Sequence, residues 1–392
     1  MHSMNGIGNR KRPREDDNDE EIVCRVCFDS GGDMVAPCAC DGSQKHIHVE
    51  CLAKWHARVA ERAEIAGHDG LCPTCKHPDG SKVVAWRSRF DVDSLMHSVG
   101  EARTDEHARE LVALIYTATR VPTLRRRASE VRGIEVLASV MKAHSSDALL
   151  QSCILSIVHR LVLEDSENGV ERVINAGVVQ LTVEAMRTHP TDARSNSGYL
   201  HFVEGMARRS ARCARIAAKA GAVELMISAI HTHADNVNVV HNGIAALHSL
   251  MWERKDTTAE AVGKNALERI ACAMDDHAGD NEITHLSFAV FVEVLRNGDC
   301  KLPKHVLESV CRACVRHATD CVLATRGLQI LQAVTDKSAA SRVKVVAAGL
   351  GAAAKAVMNE HAKNNDDACD IAARMLKIVE RSERISIKRP LL

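Results

Sequence analysis

Hydrophobic residues recur along the chain in blocks that share one order. An apolar stretch with helical spacing is followed by a histidine and then by an aspartate or asparagine. This order occurs six times, in GIEVLASVMKAHSSD, GVVQLTVEAMRTHPTD, GAVELMISAIHTHADN, NALERIACAMDDHAGD, VLESVCRACVRHATD and GLGAAAKAVMNEHAKN. The histidines are separated by 40 to 45 residues and lie at His144, His189, His233, His277, His317 and His361. Recurrence at one period indicates stacked copies of one structural unit.

Each unit is predicted to contain three helices: a short one ending at an Ala-Gly turn, a second running to the histidine, and a third after the polar residue. Gly177, Gly221 and Gly349 accept the turn because they lack a Cβ. The third helices are expected to be capped by Asp147, Asp192, Asn236, Asp280, Asp320 and Asn364. The period near 44 resembles that of armadillo repeats, which implies an α-solenoid over about residues 92–385. Residues 91–130 are expected to form a degenerate first unit.

Two features of the repeats imitate metal sites. One histidine per unit suggests a row of ligands, yet each lies at a helix C-terminus, where an imidazole can bond a carbonyl. Cys311 and Cys314, with His317 behind them, resemble a zinc knuckle, but the equivalent positions in other units are apolar. We therefore expect a structural role for the histidines and a core position for both cysteines.

A run of five basic residues is expected on the first helix of one unit. It would form either a solvated face or a patch for an acidic partner. Its members are Arg208, Arg209, Arg212, Arg215 and Lys219.

A different pattern occupies the N-terminal part, where seven of the fifteen cysteines lie between positions 24 and 75. They form Cys24-x2-Cys27, Cys38-x-Cys40, His48-x2-Cys51 and Cys72-x2-Cys75. Pairs at this spacing present two ligands to one tetrahedral ion, so eight ligands provide two closed zinc sites. Closed sites leave no position for a reacting water, and both Zn²⁺ ions are expected to be structural.

The segments CRVC, PCACDGSQKHIHVECLAKW and CPTC resemble the RING-CH (RING-variant) domain in ligand order and in the central Cys-x-Cys. The resemblance implies a cross-braced arrangement. Site one would contain Cys24, Cys27, His48 and Cys51. Site two would contain Cys38, Cys40, Cys72 and Cys75. The neighbouring His46 has the wrong spacing to Cys51.

The PHD finger shares this ligand order and is the main competing interpretation. PHD fingers generally space the second pair more widely and place a Trp two residues before the seventh ligand. Here that residue is Gly70, and the aromatic residue of the domain is Trp55. These differences favour the RING-CH domain.

The resemblance implies that the domain docks a ubiquitin-conjugating enzyme charged with ubiquitin. Its docking surface maps onto Val26, Trp55, Pro73 and Lys76. The alternative is that Val26 and Pro73 only shape the zinc loops, and that Trp55 is core. Lys76 lies where an Arg would be the stronger bridge to ubiquitin, because Arg forks to two acceptors.

Five segments are expected: a basic and acidic tail, the RING-CH domain, a connector, the armadillo-like repeats and a C-terminal tail. Their bounds are 1–21, 22–78, 79–91, 92–385 and 386–392. The tail carries Arg10-Lys11-Arg12-Pro13-Arg14, which resembles a nuclear import signal and favours nuclear over cytoplasmic placement.

No apolar run reaches the roughly 18 residues of a membrane span, so a soluble intracellular protein without membrane insertion is expected. The well-known RING-CH ligases carry spanning helices, so their membrane substrates do not transfer to this chain. The formal net charge of zero does not favour nucleic-acid binding.

The sequence therefore predicts a mainly α protein that acts as a RING-type ubiquitin ligase and binds a protein substrate on its repeats. The resemblance implies no covalent ubiquitin intermediate on this chain, because RING-type ligases have no nucleophile of their own. The alternative is a non-enzymatic adaptor with a PHD-like or RING-like binding module.

Overall fold

The computed structural model describes residues 24, 34–35, 47–48, 51, 92–120, 122–165, 168–297, 302–361 and 367–387. The chain divides into two compact units, Met1–Asp91 and Val92–Leu392. In the first unit, strands β1 (Met34–Val35) and β2 (Ile47–His48) pair antiparallel, with Met34 opposite His48 and Val35 opposite Ile47.

The second unit contains nineteen helices in its described residues. They are α1 (Val92–Gly100), α2 (Asp105–Ala118), α3 (Pro122–Glu130), α4 (Gly133–Ala143), α5 (Ala148–Glu164), α6 (Gly169–Ala176), α7 (Val178–Thr188), α8 (Ala193–Arg209), α9 (Ala211–Lys219), α10 (Ala222–Thr232), α11 (Val237–Met251), α12 (Lys255–Gly263), α13 (Ala266–Asp276), α14 (Asn281–Asn297), α15 (Lys304–Arg316), α16 (Cys321–Thr335), α17 (Ala339–Ala347), α18 (Leu350–His361) and α19 (Asp367–Ile387). None of these helices is long and apolar enough to cross a membrane.

The helices group into the three-helix units that the sequence predicted. Five units are complete: α3–α5, α6–α8, α9–α11, α12–α14 and α17–α19. Helices α1 and α2 match the second and third helices of a unit, so α3 belongs to the next unit and not to a degenerate first one. Between α14 and α15 the described residues include no first helix. The repeat histidines on either side, His277 and His317, are correspondingly only 40 residues apart in the sequence.

The predicted turns and caps are confirmed where the structure describes them. Gly177, Gly221 and Gly349 have φ of 75°, 90° and 110°, in the left-handed region that glycine enters without strain. The capping side chain accepts a backbone N–H of the third helix at 2.7–3.2 Å in the units capped by Asp147, Asp192, Asn236, Asp280 and Asp320. Asn364 lies outside the described residues.

Successive third helices pack on one another from α2 through α5, α8, α11, α14 and α16 to α19. Their inner sides bury Tyr199, Phe202, Phe288 and Phe291 completely or nearly so. In a chain with only 3% aromatic residues, these four rings are the largest fully buried side chains of the described residues.

Cys311 and Cys314 lie in the core, as predicted. Burial raises the pKa of the Cys311 thiol to about 12 and that of Cys314 above its usual range, so both remain neutral thiols. A Cβ on Gly327 would overlap the Cys314 sulfur, because α16 approaches α15 closely at this point.

The repeat histidines join neighbouring units. The Nε2 atoms of His189, His233, His277 and His361 lie 2.6–2.8 Å from backbone oxygens of Ser145, Pro190, Ala234 and Ala318. Each acceptor directly follows the histidine of the preceding unit. A structural role was predicted, but with a carbonyl at the end of the histidine's own helix. The observed bond links two units, because stacking brings the turn of one unit against the helix end of the next.

The basic run is divided between two helices, which corrects the prediction of a single first helix. Arg208 and Arg209 end α8, and Arg212, Arg215 and Lys219 belong to α9. The break occurs at Ser210, whose Oγ accepts the backbone N–H of Arg212 and Cys213 and so caps α9.

Candidate metal centre and partner surface

Three of the predicted zinc ligands lie in the described residues, and all three belong to site one. Cys24 is completely buried and Cys51 is half-buried. His48 ends β2, three residues before Cys51, and its backbone pairs with Met34. The pairing of β1 with β2 therefore fixes the backbone at His48, one of the ligands predicted for site one.

The donor types of these residues fit zinc. A buried thiol is desolvated, and a metal ion is the usual partner that allows such a sulfur to carry its charge. Sulfur and imidazole donors also match the borderline softness of Zn²⁺. Among the described side chains alone, no group of three or more His, Cys, Asp or Glu is close enough to hold a metal.

The remaining site residues of the sequence prediction lie outside the described residues. They are the ligands Cys27, Cys38, Cys40, Cys72 and Cys75, and the docking residues Val26, Trp55, Pro73 and Lys76. Their assignment stays a prediction.

The cysteine and histidine spacing agrees with a comparison of the sequence with protein families. The RING-variant domain family matches residues 24–75. Residues 24–75 are a RING-variant domain.

The N-terminal part of the chain is similar to proteins that are named as E3 ubiquitin ligases. "Probable E3 ubiquitin ligase SUD1" of Arabidopsis thaliana is 39% identical over 69 residues, which cover 16% of this chain and 5% of that protein. "E3 ubiquitin-protein ligase MARCHF6" of Homo sapiens is 39% identical over 66 residues, covering 16% and 6%. The chain thus matches only a small part of these relatives, and the likeness is confined to the zinc-binding domain.

The likeness to solved structures extends over the helical repeats. An engineered protein solved by a structural genomics consortium superposes with a TM-score of 0.57 at 13% identity, covering 85% of this chain and 78% of that one. A designed armadillo repeat protein aligns at a TM-score of 0.42 and 10% identity, over 74% of this chain and all of its own. The first of these likenesses shows a helical-repeat fold and nothing about activity.

The outer side of the third helices is a candidate partner surface that sequence analysis did not identify. Besides the repeat histidines at the ends of the second helices, the third helices carry His159, His201, His241, His248 and His285. Burial lowers the pKa of His159, His248 and His285, so these rings are neutral near pH 7. The rings of His159 and His201 meet edge to face at 5.4 Å.

A second row lies at the C-terminal ends of the third helices, with Trp252 directly after the last residue of α11. Leu163, Arg208, Trp252 and Arg296 are each the sixteenth residue after the capping residue of α5, α8, α11 and α14. We call these four residues the 163–296 row. Its register was visible in the sequence once the capping residues were aligned, but its exposure was not.

Proposed function

We propose that this protein is a RING-type ubiquitin-protein ligase whose RING-variant domain docks a charged ubiquitin-conjugating enzyme and whose repeats bind the substrate protein. The observation that carries the proposal is the family match over residues 24–75. Its relatives named above are ubiquitin ligases, and a repeat array is suited to present an extended binding surface.

Two structural zinc ions would hold the domain. Cys24, Cys27, His48 and Cys51 would bind one, and Cys38, Cys40, Cys72 and Cys75 the other. Bound zinc fixes the fold of a segment that is too short to build a large apolar core. The ions would take no part in the transfer step, because all four positions of each are filled by protein.

In this proposal the chain acts by positioning. Val26, Trp55 and Pro73 would contact the conjugating enzyme, and Lys76 would bridge it to ubiquitin. A neutral substrate lysine amine attacks the thioester carbonyl, the isopeptide C–N bond forms and the C–S bond breaks. The cysteine of the conjugating enzyme leaves as a thiolate, and the amine proton passes to solvent. Holding the two reactants together lowers the entropic part of the barrier.

The tail cluster Arg10-Lys11-Arg12-Pro13-Arg14 supports a nuclear location in the same proposal. A fluorescent fusion of the whole chain and its variant with these four basic residues changed to Ala would compare the two compartments. Equal nuclear signal from both would contradict this part of the proposal.

Autoubiquitination of the zinc-loaded chain with a panel of conjugating enzymes tests the activity. We expect ubiquitin ladders from the wild type and their loss in Trp55→Ala, with Val343→Ala, at an exposed apolar position of the repeats, as the control outside the domain. Zinc content of each variant shows whether its RING-variant domain is folded. No ladders from wild-type protein that holds two zinc ions would favour the adaptor alternative.

A further inference from the structure

The 163–296 row exposes large side chains at the same distance from the capping residue in four successive units. Leu163, Arg208, Trp252 and Arg296 are between 49% and 72% exposed. Since the third helices α5, α8, α11 and α14 pack side by side, the row crosses them one residue per unit. An exposed Trp and an exposed Leu in such a row are apolar area of the kind that marks protein contacts.

The orientation of Trp252 depends on a strained turn. Glu253, the next residue, has φ of 54°, a left-handed conformation that non-glycine residues rarely adopt. Its backbone N–H donates to Glu293 Oε1 at 2.8 Å, and the Glu293 side chain is only 1% exposed. A buried carboxylate of the next unit thus holds the turn that directs Trp252 outward. Strain of this kind, stabilised by its surroundings, is common at ligand-binding positions.

Two neighbours fix the indole ring without covering it. The His248 ring meets it edge to face at 5.6 Å, and the Arg296 guanidinium carbon lies 5.6 Å from its centroid. Trp252 therefore has a defined orientation before any partner binds, which reduces the entropy lost on association.

Arginines provide the exposed charges at the C-terminal ends of α8 and α14, next to the row. Helices α5, α8, α11, α14 and α16 contain no Lys or Asp, and their arginines are Arg160, Arg194, Arg208, Arg209, Arg296 and Arg326. Their glutamates are Glu164, Glu204, Glu282 and Glu293. Three of the four have side chains at most 16% exposed, and only Glu282 is widely exposed. Arg194, Arg208, Arg209 and Arg296 are exposed, whereas Arg160 and Arg326 are half-buried. The exposed anions on or beside these helices include Glu282, the cap Asp192 and Glu253, which follows Trp252.

The two arginines of the row keep donors for a partner. Arg208 contacts Glu204 through Nη1 at 3.0 Å, and Arg296 contacts Glu293 through Nη1 at 3.4 Å. A guanidinium has five N–H groups and can bind a carboxylate through two of them. The attraction of these arginines to the negative helix C-terminus explains their position, but not the exposure of Trp252 between them.

We propose that the 163–296 row binds an extended acidic segment of the substrate protein, with carboxylates on Arg208 and Arg296 and an apolar side chain on Trp252. This rests on the proposed function, because it assigns the substrate class of the repeats. Packed helices lie about 8–10 Å apart and an extended chain advances about 3 Å per residue, so each unit spans about three residues. The recognised pattern is acidic-x2-apolar-x2-acidic.

Single-stranded nucleic acid fits this surface less well than an acidic peptide. Proteins that bind single strands stack successive bases on several aromatic side chains. Among the described residues, Trp252 is the only aromatic one with a large exposed side chain. Trp252 is a single aromatic ring between Arg208 and Arg296, each of which has one ion-pair contact and further N–H groups. This arrangement matches a peptide with one apolar side chain between two carboxylates.

Fluorescence anisotropy with the full zinc-loaded chain tests the proposal. The probe is a pool of labelled twelve-residue peptides with Leu fixed, Glu fixed three residues to either side, and the other positions varied. We expect saturable binding that weakens with salt and falls about tenfold or more in Trp252→Ala and in Arg208→Glu/Arg296→Glu. A pool with Gln in place of both Glu should bind at least tenfold more weakly.

Two controls separate the row from general effects. Arg316→Glu changes an exposed arginine in the last turn of a second helix, and Val343→Ala shortens an exposed apolar residue elsewhere. Both should bind like the wild type, and all variants should retain the helical circular dichroism. The anisotropy assay requires no ubiquitin transfer, so a failed ligase assay does not affect the binding result.

Three results would overturn the proposal. They are absence of binding by the acidic pool at millimolar concentration, equal binding of the Gln pool, and preference for a single-stranded oligonucleotide of equal length. The third would make the row a nucleic-acid site.

Discussion

The RING-variant domain and the repeat array are stabilised by different interactions. Within residues 24–75 the ligand spacing implies zinc as the main source of stability, and the described strands are only two residues long. The second unit instead stacks helices around a buried apolar core, and its inter-unit hydrogen bonds recur at one period. A short segment with metal ligands can be recognised from a few positions, whereas an array is recognised only from its recurrence.

Removal of zinc should separate the two regions most strongly. Structural zinc contributes about 10–16 kcal/mol of apparent binding energy in small domains, so residues 24–75 should unfold with a strong chelator. The helical circular dichroism of the array and its thermal transition should remain. Proteolysis confined to the N-terminal region, with release of two equivalents of zinc, would agree with this expectation. Collapse of the helical signal together with zinc loss would contradict it.

Single ligand variants sharpen the same test. If the predicted cross-brace is correct, Cys51→Ser impairs the site with Cys24, and Cys72→Ser impairs the site with Cys38. In each variant, one of the two zinc ions should be lost more readily than the second ion. Competition with a chromogenic chelator measures this loss. Matched Cys272→Ser, an exposed cysteine of the array, should retain both ions.

The array should respond to loss of a core ring. Phe288 is fully buried in α14, and Phe288→Ala removes its contacts and leaves a cavity, at an expected cost of about 3–5 kcal/mol. The denaturant midpoint of the helical signal should fall, while zinc content stays unchanged. Val343→Ala, at an exposed position, should shift the midpoint little. Loss of zinc in Phe288→Ala would show that the regions depend on one another.

A smaller effect is expected from the bonds between units. His277→Ala removes the 2.6 Å contact with the Ala234 carbonyl, which should lower the free energy of unfolding by about 1–2 kcal/mol. Hydrogen exchange should increase at the turn after α10 and at the start of α14, since an array loses stability at the affected interface first. His305→Ala, an exposed histidine of α15, is the control. Equal exchange in both variants would contradict the linking role.

Sequence alone identified the features of the array that are local. The three-helix unit, the glycine turns and the capping side chains follow from residues within a few positions of each other, as at Asp192 and Gly221. The acceptor of each repeat histidine could not be predicted, because the carbonyl lies 43 or 44 residues earlier and meets the ring only after stacking. Ser210 is a residue type that commonly caps a helix N-terminus. Its position in the sequence could have predicted that Arg209 ends one helix and that Arg212 belongs to the next.

The outward direction of Trp252 illustrates the same limit. An isolated Trp in a helical pattern is most simply interpreted as core, and nothing local indicates that Glu253 adopts a left-handed turn. The cause is Glu293, forty residues later, whose buried carboxylate binds the Glu253 backbone. In the RING-variant domain the ligand types and spacing were local information, which is why the domain was recognised without any long-range contact.

The smallest expected effect is the pH response of the array, and its sign follows from the third-helix histidines. Burial lowers the pKa of His159, His248 and His285 in the folded chain, whereas in the unfolded chain these groups titrate near about 6.5. Below that pH the unfolded state binds more protons, so stability falls as the pH is lowered from 7.5 towards 5.5. The pKa of His159 is lowered further by the neighbouring His201 and Arg209, and that of His285 by Arg326.

Zinc ligands also take up protons in this range, so the response of the array needs its own comparison. Denaturant midpoints of the helical signal at several pH values should show a shallower pH dependence in His159→Gln/His248→Gln/His285→Gln than in the wild type. His305→Gln should retain the wild-type dependence, because that exposed histidine is not buried on folding. If the triple variant kept the full dependence, the acid sensitivity would belong to the RING-variant domain or to other groups, and the neutral histidines of the third helices would contribute nothing to it.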